Sequence, residues 1–350
     1  MKGLNFNTGA KKIYLLILVF LLAIAVTGCG TSSKETGEKT DVPKTSTPTD
    51  ISVGTGGTGG VYQIVGTAIA NIINDKLTSV RATPEPAPVL TQTARFINSG
   101  QFTLGLVSSD VANFARQGTQ TFTGEKLPKI RTLMVGHEVG MAYVVLDKSP
   151  IKSLADLKGR KIGATSPGMS LPLQELVKMY GLKAEDLNFT YITFAQQVEA
   201  LQSGTIDMAI QSAYPKASAL MDLTESTKVR FISADADKMA QFVQQNPYWK
   251  PREIPAKTYK WQDQNYAGAP GQYLLVGVNA DADEDMVYNI TKTVLENSDY
   301  LAKAHPAGKE YTLEQIQKFI DMGQITVPFH PGAAKYLQEK GLKFDSSLVE

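Results

Sequence analysis

Gly54-Thr55-Gly56-Gly57-Thr58-Gly59-Gly60 separates a short apolar run, Ile51-Ser52-Val53, from a segment in which Val61, Ile64, Val65, Ala68, Ile69 and Ile72 recur at helical spacing. That order predicts a strand, a glycine loop and an amphipathic helix. Glycines let the chain turn sharply and let a ligand approach the backbone. The helix start adds unpaired N–H groups and partial positive charge. A carboxylate or a phosphate suits such a junction.

Upstream, Lys2, Lys11 and Lys12 precede an uncharged apolar run from Ile13 to Val26 that ends in Val26-Thr27-Gly28-Cys29. The run is too short for an ordinary membrane-spanning helix and has the form of an export signal over residues 1–28. It resembles a bacterial lipoprotein signal with Cys29 as the lipidated residue, which implies acyl chains that anchor the protein to the bilayer. Cys29 is the sole cysteine, so the chain forms no internal disulfide and no cysteine metal cluster. Residues 29–50 are mostly Thr, Ser, Lys, Glu, Asp, Gly and Pro, which cannot build a core and read as a tether. Removing the signal takes away three lysines and no acid, shifting the formal charge from +1 to −2. With no basic run interleaved with aromatics, nucleic acid is not expected as a partner.

The remaining stretch from Ile51 to Glu350, in a chain that is 43% apolar, is long enough for two lobes. A faint internal echo supports two. Residues 97–108 (Ile97-Asn98-Ser99-Gly100-Gln101-Phe102 and onward to Ser108) align without gaps to residues 201–212, each reading as helix, glycine cap and strand. Val53-Gly54 is likewise echoed by Ile162-Gly163, which makes Ser166-Pro167-Gly168-Met169-Ser170 the second lobe's counterpart of the glycine loop. Strands alternating with helices predict α/β units with mainly parallel sheets, in which ligands bind beyond the carboxyl ends of the strands. The expectation is a two-lobed α/β fold of the periplasmic-binding-protein type (class II) with the ligand cleft between the lobes. Lobe 1 takes 51–138 plus 270–345 and lobe 2 takes 139–269. The chain would cross first between Val135 and Met141 and return around Gly268-Ala269-Pro270-Gly271. Asn246 to Asn265, with Pro247, Pro251, Pro255 and several aromatics, reads as a strap.

Gly54 to Tyr62, Val107-Ser108-Ser109-Asp110-Val111, Lys152 to Gly159 and Phe329-His330-Pro331-Gly332-Ala333 together resemble the TAXI-type solute receptors of TRAP transporters. The resemblance covers nearly all of Ile51 to Leu342. It implies a hinge-closing extracytoplasmic receptor that hands a small carboxylate, such as glutamate, glutamine or 2-oxoglutarate, to a sodium-driven TRAP permease. The chain leaves the family pattern in two places. A Gly-Gly-Ser turn becomes Ala82-Thr83-Pro84-Glu85-Pro86-Ala87-Pro88, and Pro-Gly-Ser-Gly-Thr becomes Pro167-Gly168-Met169-Ser170-Leu171. Glu85 and Met169 shift the expected ligand toward a cationic, zwitterionic or more apolar carboxylate.

Thr55, Gly57, Thr58 and Gly59 are the candidate carboxylate captors through backbone N–H groups, with the Thr58 hydroxyl as a further donor. Tyr62 covers the ligand or packs. Ser109 bonds the ligand or caps the next helix, which Asp110 is expected to cap from just before Val111. Ser166, Met169 and Ser170 come from the second loop, and Gln211 and Tyr214 from the strand after it. His137, His305 and His330 have no metal-ligand spacing, and His330 reads as a helix start. No cofactor, metal or catalytic group is expected, and the chain is not read as an enzyme. Two rivals stand: the same fold serving an ABC importer or a sensor kinase, and a dinucleotide enzyme through Gly54-x-Gly56-x-x-Gly59, which lacks the acid the fingerprint expects about 20 residues beyond.

Overall fold

In the computed structural model, residues 47–350 are described apart from 58, 59, 88 and 215–217, and of residues 214 and 218 the backbone alone. The expected signal, Cys29 and nearly all of the tether therefore lie outside the described residues. The first half of the chain gives β1 (Thr49–Thr55), α1 (Val61–Lys76), β2 (Val80–Pro86), α2 (Leu90–Ser99), β3 (Leu104–Ser108), α3 (Ser109–Gln117) and the long β4 (Ile130–Leu146). The middle gives β5 (Lys161–Ala164), α4 (Pro167–Leu176), β6 (Asn188–Tyr191), α5 (Phe194–Gln202), β7 (Met208–Tyr214), α6 (Ser218–Ser226), β8 (Val229–Ile232) and α7 (Ala236–Gln245). The chain closes with β9 (Gln272–Asn279), α8 (Glu284–Glu296), α9 (Ser298–Ala304), α10 (Leu313–Asp321) and α11 (Pro331–Glu339). Thr49 and Asp50, placed in the tether by composition, already belong to β1, where they pair with Val80 and Arg81.

The strands order as β2-β1-β3-β9-β4-β7-β5-β6, with β8 on β4. β1 runs parallel to β2 and β3, and β5 runs parallel to β6 and β7. The two halves repeat in register. Val53 and Gly54 face Leu104 and Gly105, while Ile162 and Gly163 face Met208 and Ala209. These are the residues the sequence echo aligns. Gly100 and Gly204 both sit at positive φ, 80° and 76°, just beyond α2 and α5, where glycine closes a helix without a Cβ clash.

The two halves share one strand. β4 pairs antiparallel with β9 from Ile130 to Val139, then with β7 and β8 from Gly140 to Leu146. The stretch from Val135 to Met141, expected to carry the crossing, is continuous strand, and irregularities mark it: the register shifts between Val135 and Glu138 and between Gly140 and Met141. Bulges bend a strand without ending it.

α1 fastens the first sheet. Val65, Ala68, Ile69, Ile72 and Ile73 fall on one stripe and are at most 3% exposed. Each of the larger ones contributes about 1.5–3 kcal/mol relative to exposure. A Cβ at Gly66 would stand 2.7 Å from the Thr55 Cγ2, so the helix lies against the end of β1 only because that position is glycine. The strap between α7 and β9 is buried at Trp249, Ile254, Tyr259 and Tyr266. The Tyr259 hydroxyl donates to the Ala213 carbonyl at 2.8 Å and that of Tyr266 to the Ile232 carbonyl at 2.9 Å.

Candidate functional site

The cleft lies beyond the carboxyl ends of β3 and β5, as the parallel strands require. It has a volume of about 440 Å³ and is lined from both halves. β3 and α3 supply Ser108, Asp110 and Val111, and the start of α2 supplies Leu90 and Thr91. From the other half come Ser166 to Met169 and Pro172 of α4, Met141 and Tyr143 of β4, and Ile210 of β7. Pro270, Gly271 and Gln272 close the floor where the chain returns. A second hollow, about 500 Å³ between α1 and α9, is open to solvent and touches no strand end. The cleft is therefore the candidate site.

The lining is mainly apolar, and among the described residues it holds one charged side chain, Asp110. That carboxylate is 4% exposed and carefully held. The Ser108 hydroxyl donates to Oδ1 at 2.6 Å and the Val111 N–H to the same oxygen at 2.8 Å. The Trp249 indole Nε1 donates to Oδ2 at 3.0 Å. The Gln272 amide, turned with its nitrogen toward the acid, donates to Oδ2 at 3.1 Å and Oδ1 at 3.2 Å. Burial pushes the Asp110 carboxyl above its ordinary value, and these donors oppose that shift. Gln272 also hydrogen-bonds the Tyr62 hydroxyl; burial first, and the Asp110 charge second, push that phenol up. Tyr62 further meets His137 edge-on at 5.6 Å between ring centres.

Of the residues singled out in the sequence, Ser166 and Met169 line the cleft and Tyr62 stands behind Gln272. Thr58 and Gly59 lie outside the described residues, as does the Tyr214 side chain. Gly57, partly buried, accepts at its carbonyl from the Gly60 N–H at 3.1 Å where α1 begins. Several hydroxyls turn inward instead. Thr55 is buried and donates to the Glu85 carbonyl at 3.2 Å. Ser109 donates to the Tyr248 carbonyl at 2.8 Å, facing the strap, so its neighbour Ser108 is the one on the cleft. Ser170 is buried against the Pro167 carbonyl at 2.9 Å and accepts from Gln174 at 2.7 Å. Gln211 points to α5, donating to Gln197 at 3.1 Å, because side chains alternate along β7 and Ile210 takes the cleft face.

Two further expectations are corrected. Glu85 does not line the cleft: its carboxylate accepts from the Ser52 hydroxyl at 2.5 Å across the β1–β2 pair. Asp110 does not precede its helix. α3 begins at Ser109, which puts Asp110 in the first turn with its carboxylate on the cleft. Reading it as a cap followed from expecting an anionic ligand. Gln272 and Trp249 were missed as well. The available signals were a lone polar residue opening the apolar run of β9, and one of the chain's two tryptophans sitting in the strap. His330 does start a helix: it is the N-cap of α11, accepting from the Gly332 N–H at 3.2 Å. No group of three or more His, Cys, Asp or Glu side chains is placed to hold a metal among the described residues.

Two sheets joined by a shared strand, with one cleft fed by loops from both, define a two-lobed α/β binding protein of the periplasmic type. The NMT1-like family matches residues 53–341, and the chain belongs to that family. The aliphatic sulfonates-binding protein of Escherichia coli (strain K12) is 30% identical over 140 residues, 38% of this chain; the match spans 40% of that protein's length. Among solved structures, XAC2383 from Xanthomonas citri bound to ATP superposes with a TM-score of 0.51 at 12% identity, covering 83% of this chain and 95% of that one. The periplasmic aliphatic sulphonate binding protein SsuA from Escherichia coli gives a TM-score of 0.48 at 19% identity, covering 83% and 79%. At 12% identity the likeness to XAC2383 shows the fold alone. The matched family is the NMT1-like one, which does not narrow the chain to the TAXI type.

Proposed function

We propose that the chain is an extracytoplasmic solute receptor that closes lobes 51–138 plus 270–345 and 139–269 around one small organic molecule and delivers it to a membrane transporter. The observation that carries this reading is the cleft of about 440 Å³ lined by residues of both halves. Such contacts exist together only when the lobes are near each other, so a ligand stabilises the closed state by its differential affinity. The size and apolar lining suit a compact solute.

The TAXI resemblance implies a carboxylate ligand, and the cleft lining favours a narrower class. With Asp110 as the charged group and no lysine or arginine in the described lining, a dianion such as free 2-oxoglutarate is disfavoured relative to a zwitterion or a mostly apolar monocarboxylate. The loop of Thr58 and Gly59 remains the proposed carboxylate captor.

The membrane partner is read as a TRAP permease from the motifs. Membership in the NMT1-like family supports, as the second reading, an ATP-driven importer. A thermal-shift panel of amino acids, oxoacids, dicarboxylates and sulfonates tests the receptor, with a rise in melting temperature expected for one class. Uptake of that solute in cells carrying either a TRAP permease or an ATPase importer from the same gene neighbourhood separates the partners. Lipid anchoring through Cys29 is tested alongside: Cys29→Ser should move the protein from the membrane fraction to the soluble one, and an unchanged membrane fraction would exclude the acyl anchor.

A further inference from the structure

We propose that Asp110 and Gln272 form the subsite for a protonated amine, so that the solute is a small ammonium compound with an apolar body, zwitterionic or singly cationic. The inference rests on the receptor reading and names its ligand class.

Asp110 is the one acid on the described lining, and no basic side chain among those residues answers it. Four protein donors keep the carboxylate in place inside the cleft wall. Three of them are fixed. Ser108 and Val111 are Asp110's chain neighbours, and Trp249 is fully buried, its ring stacked on Phe242 at 5.7 Å and 5°. Gln272 differs, because it reaches Asp110 through an amide with two orientations. With nitrogen toward the acid, it donates at 3.1 and 3.2 Å. Turned over, it brings its carbonyl oxygen to the same place, where that oxygen and both carboxylate oxygens converge with no hydrogen between them. An ammonium group supplies the missing hydrogens, donating to Asp110 Oδ2 and to the Gln272 carbonyl together. The Gln272 nitrogen then takes the side of the amide that faces the Tyr62 hydroxyl, to which it donates. The amide turn presents a carboxylate oxygen and a carbonyl oxygen side by side as acceptors, and an ammonium group satisfies both.

The rest of the lining fits the remainder of such a molecule. Leu90, Val111, Met141, Tyr143, Met169 and Ile210 surround the acid with apolar surface. In that low-dielectric setting an unpaired anion is costly, and a matching cation is correspondingly favoured.

The test measures binding to the mature chain, by thermal shift and calorimetry, for two matched sets. One set is leucine, 3-methylbutylamine and 4-methylpentanoate; the other is phenylalanine, 2-phenylethylamine and 3-phenylpropanoate. Each set keeps the apolar body while the amine is present or absent. The expected result is that amine-bearing members of at least one set raise the melting temperature and their des-amino acid does not. Asp110→Asn should then weaken the amine by about thirtyfold or more. Gln272→Leu leaves the three fixed donors of Asp110 in place and covers the case in which Asp110→Asn does not fold; it should weaken the amine about tenfold. If a des-amino acid binds as tightly as its amine, or if Gln272→Leu leaves amine affinity unchanged, the ammonium subsite is overturned and the receptor reading stands. If neither set shifts the protein, the ammonium subsite is overturned for apolar bodies of this size, while the receptor reading is decided by the wider panel of oxoacids, dicarboxylates and sulfonates.

Discussion

Trp249 reaches Asp110 across the cleft floor: its indole nitrogen donates to Oδ2 at 3.0 Å, although the strap that carries it lies in the other half of the sequence. The next strap residue back is tied in as well, since the Tyr248 carbonyl accepts from Ser109 at 2.8 Å. The strap is therefore part of the site's frame, and its aromatic content serves both packing and charge placement. Trp249→Phe keeps the stack on Phe242 but removes the N–H. Leaving one buried carboxylate oxygen short of a donor should cost about 1–3 kcal/mol, read as a lower urea midpoint with an unchanged slope. An unchanged midpoint would show that Asp110 does not depend on the strap.

Blocking the cleft without disturbing the core separates binding from folding. Gly168 lines the cleft, and a Cβ added there meets nothing nearer than the Ser166 Oγ at 3.8 Å. Gly168→Phe should therefore fold normally, with a melting temperature within about 2 °C of the parent, while losing the thermal shift given by whichever solute stabilises the parent. A full shift in the variant would place the ligand elsewhere.

The strand β1, the glycine loop at its end and the helix α1 were legible because each carries its own local pattern, and the echo was legible because paired strands keep register. Val53 opposite Leu104 and Ile162 opposite Met208 are the outcome of that repetition. That the stretch from Val135 to Met141 runs as unbroken strand was not, since a strand with bulges at Val135–Glu138 and Gly140–Met141 keeps the same apolar composition as one without. Side-chain direction was the other gap. Ser109 and Gln211 were chosen one residue away from Ser108 and Ile210, and with a period of two a single step turns a side chain to the opposite face. Asp110 was visible but its role depended on Trp249 and Gln272, both far along the chain.

Arg252 fastens the strap to the bend in β4. Its guanidinium donates to Glu138 at 2.6 Å and to Glu310 at 3.2 Å, and Lys318 reaches Glu138 at 3.2 Å from α10. Burial acts to raise the Glu138 carboxyl, but Arg252 and Lys318 outweigh it and hold it below the ordinary range; Glu310, burial-dominated, lies above. Arg252→Met would leave Glu310 without its ion-pair partner and Glu138, largely buried beside it, with Lys318 and the nearby Lys250. A loss of about 3 kcal/mol is expected, and Arg252→Lys should recover part of it without the forked geometry. Denaturation of the three proteins at neutral pH checks this; equal stability of parent and Arg252→Met would rule out the clamp.

His137 gives the protein a pH-dependent stability of defined sign. The ring is 1% exposed, its Nδ1 lies 3.2 Å from the Tyr311 hydroxyl, and burial, with His305 and Arg252 adding to it, pushes its pKa down to about 4 from 6.5. The folded state thus refuses a proton that the unfolded chain accepts. Between those two values the unfolded state binds more protons, so stability falls as pH drops through the window and levels off below it. Above pH 6.5 the contribution is complete. A shift of this size corresponds to roughly 3 kcal/mol over the full window. His137→Gln cannot charge, so its unfolding free energy should decline less than the parent's between pH 6.5 and 4.5, whatever its absolute stability at pH 7.5. Parallel pH curves for parent and variant would show that another group governs acid unfolding.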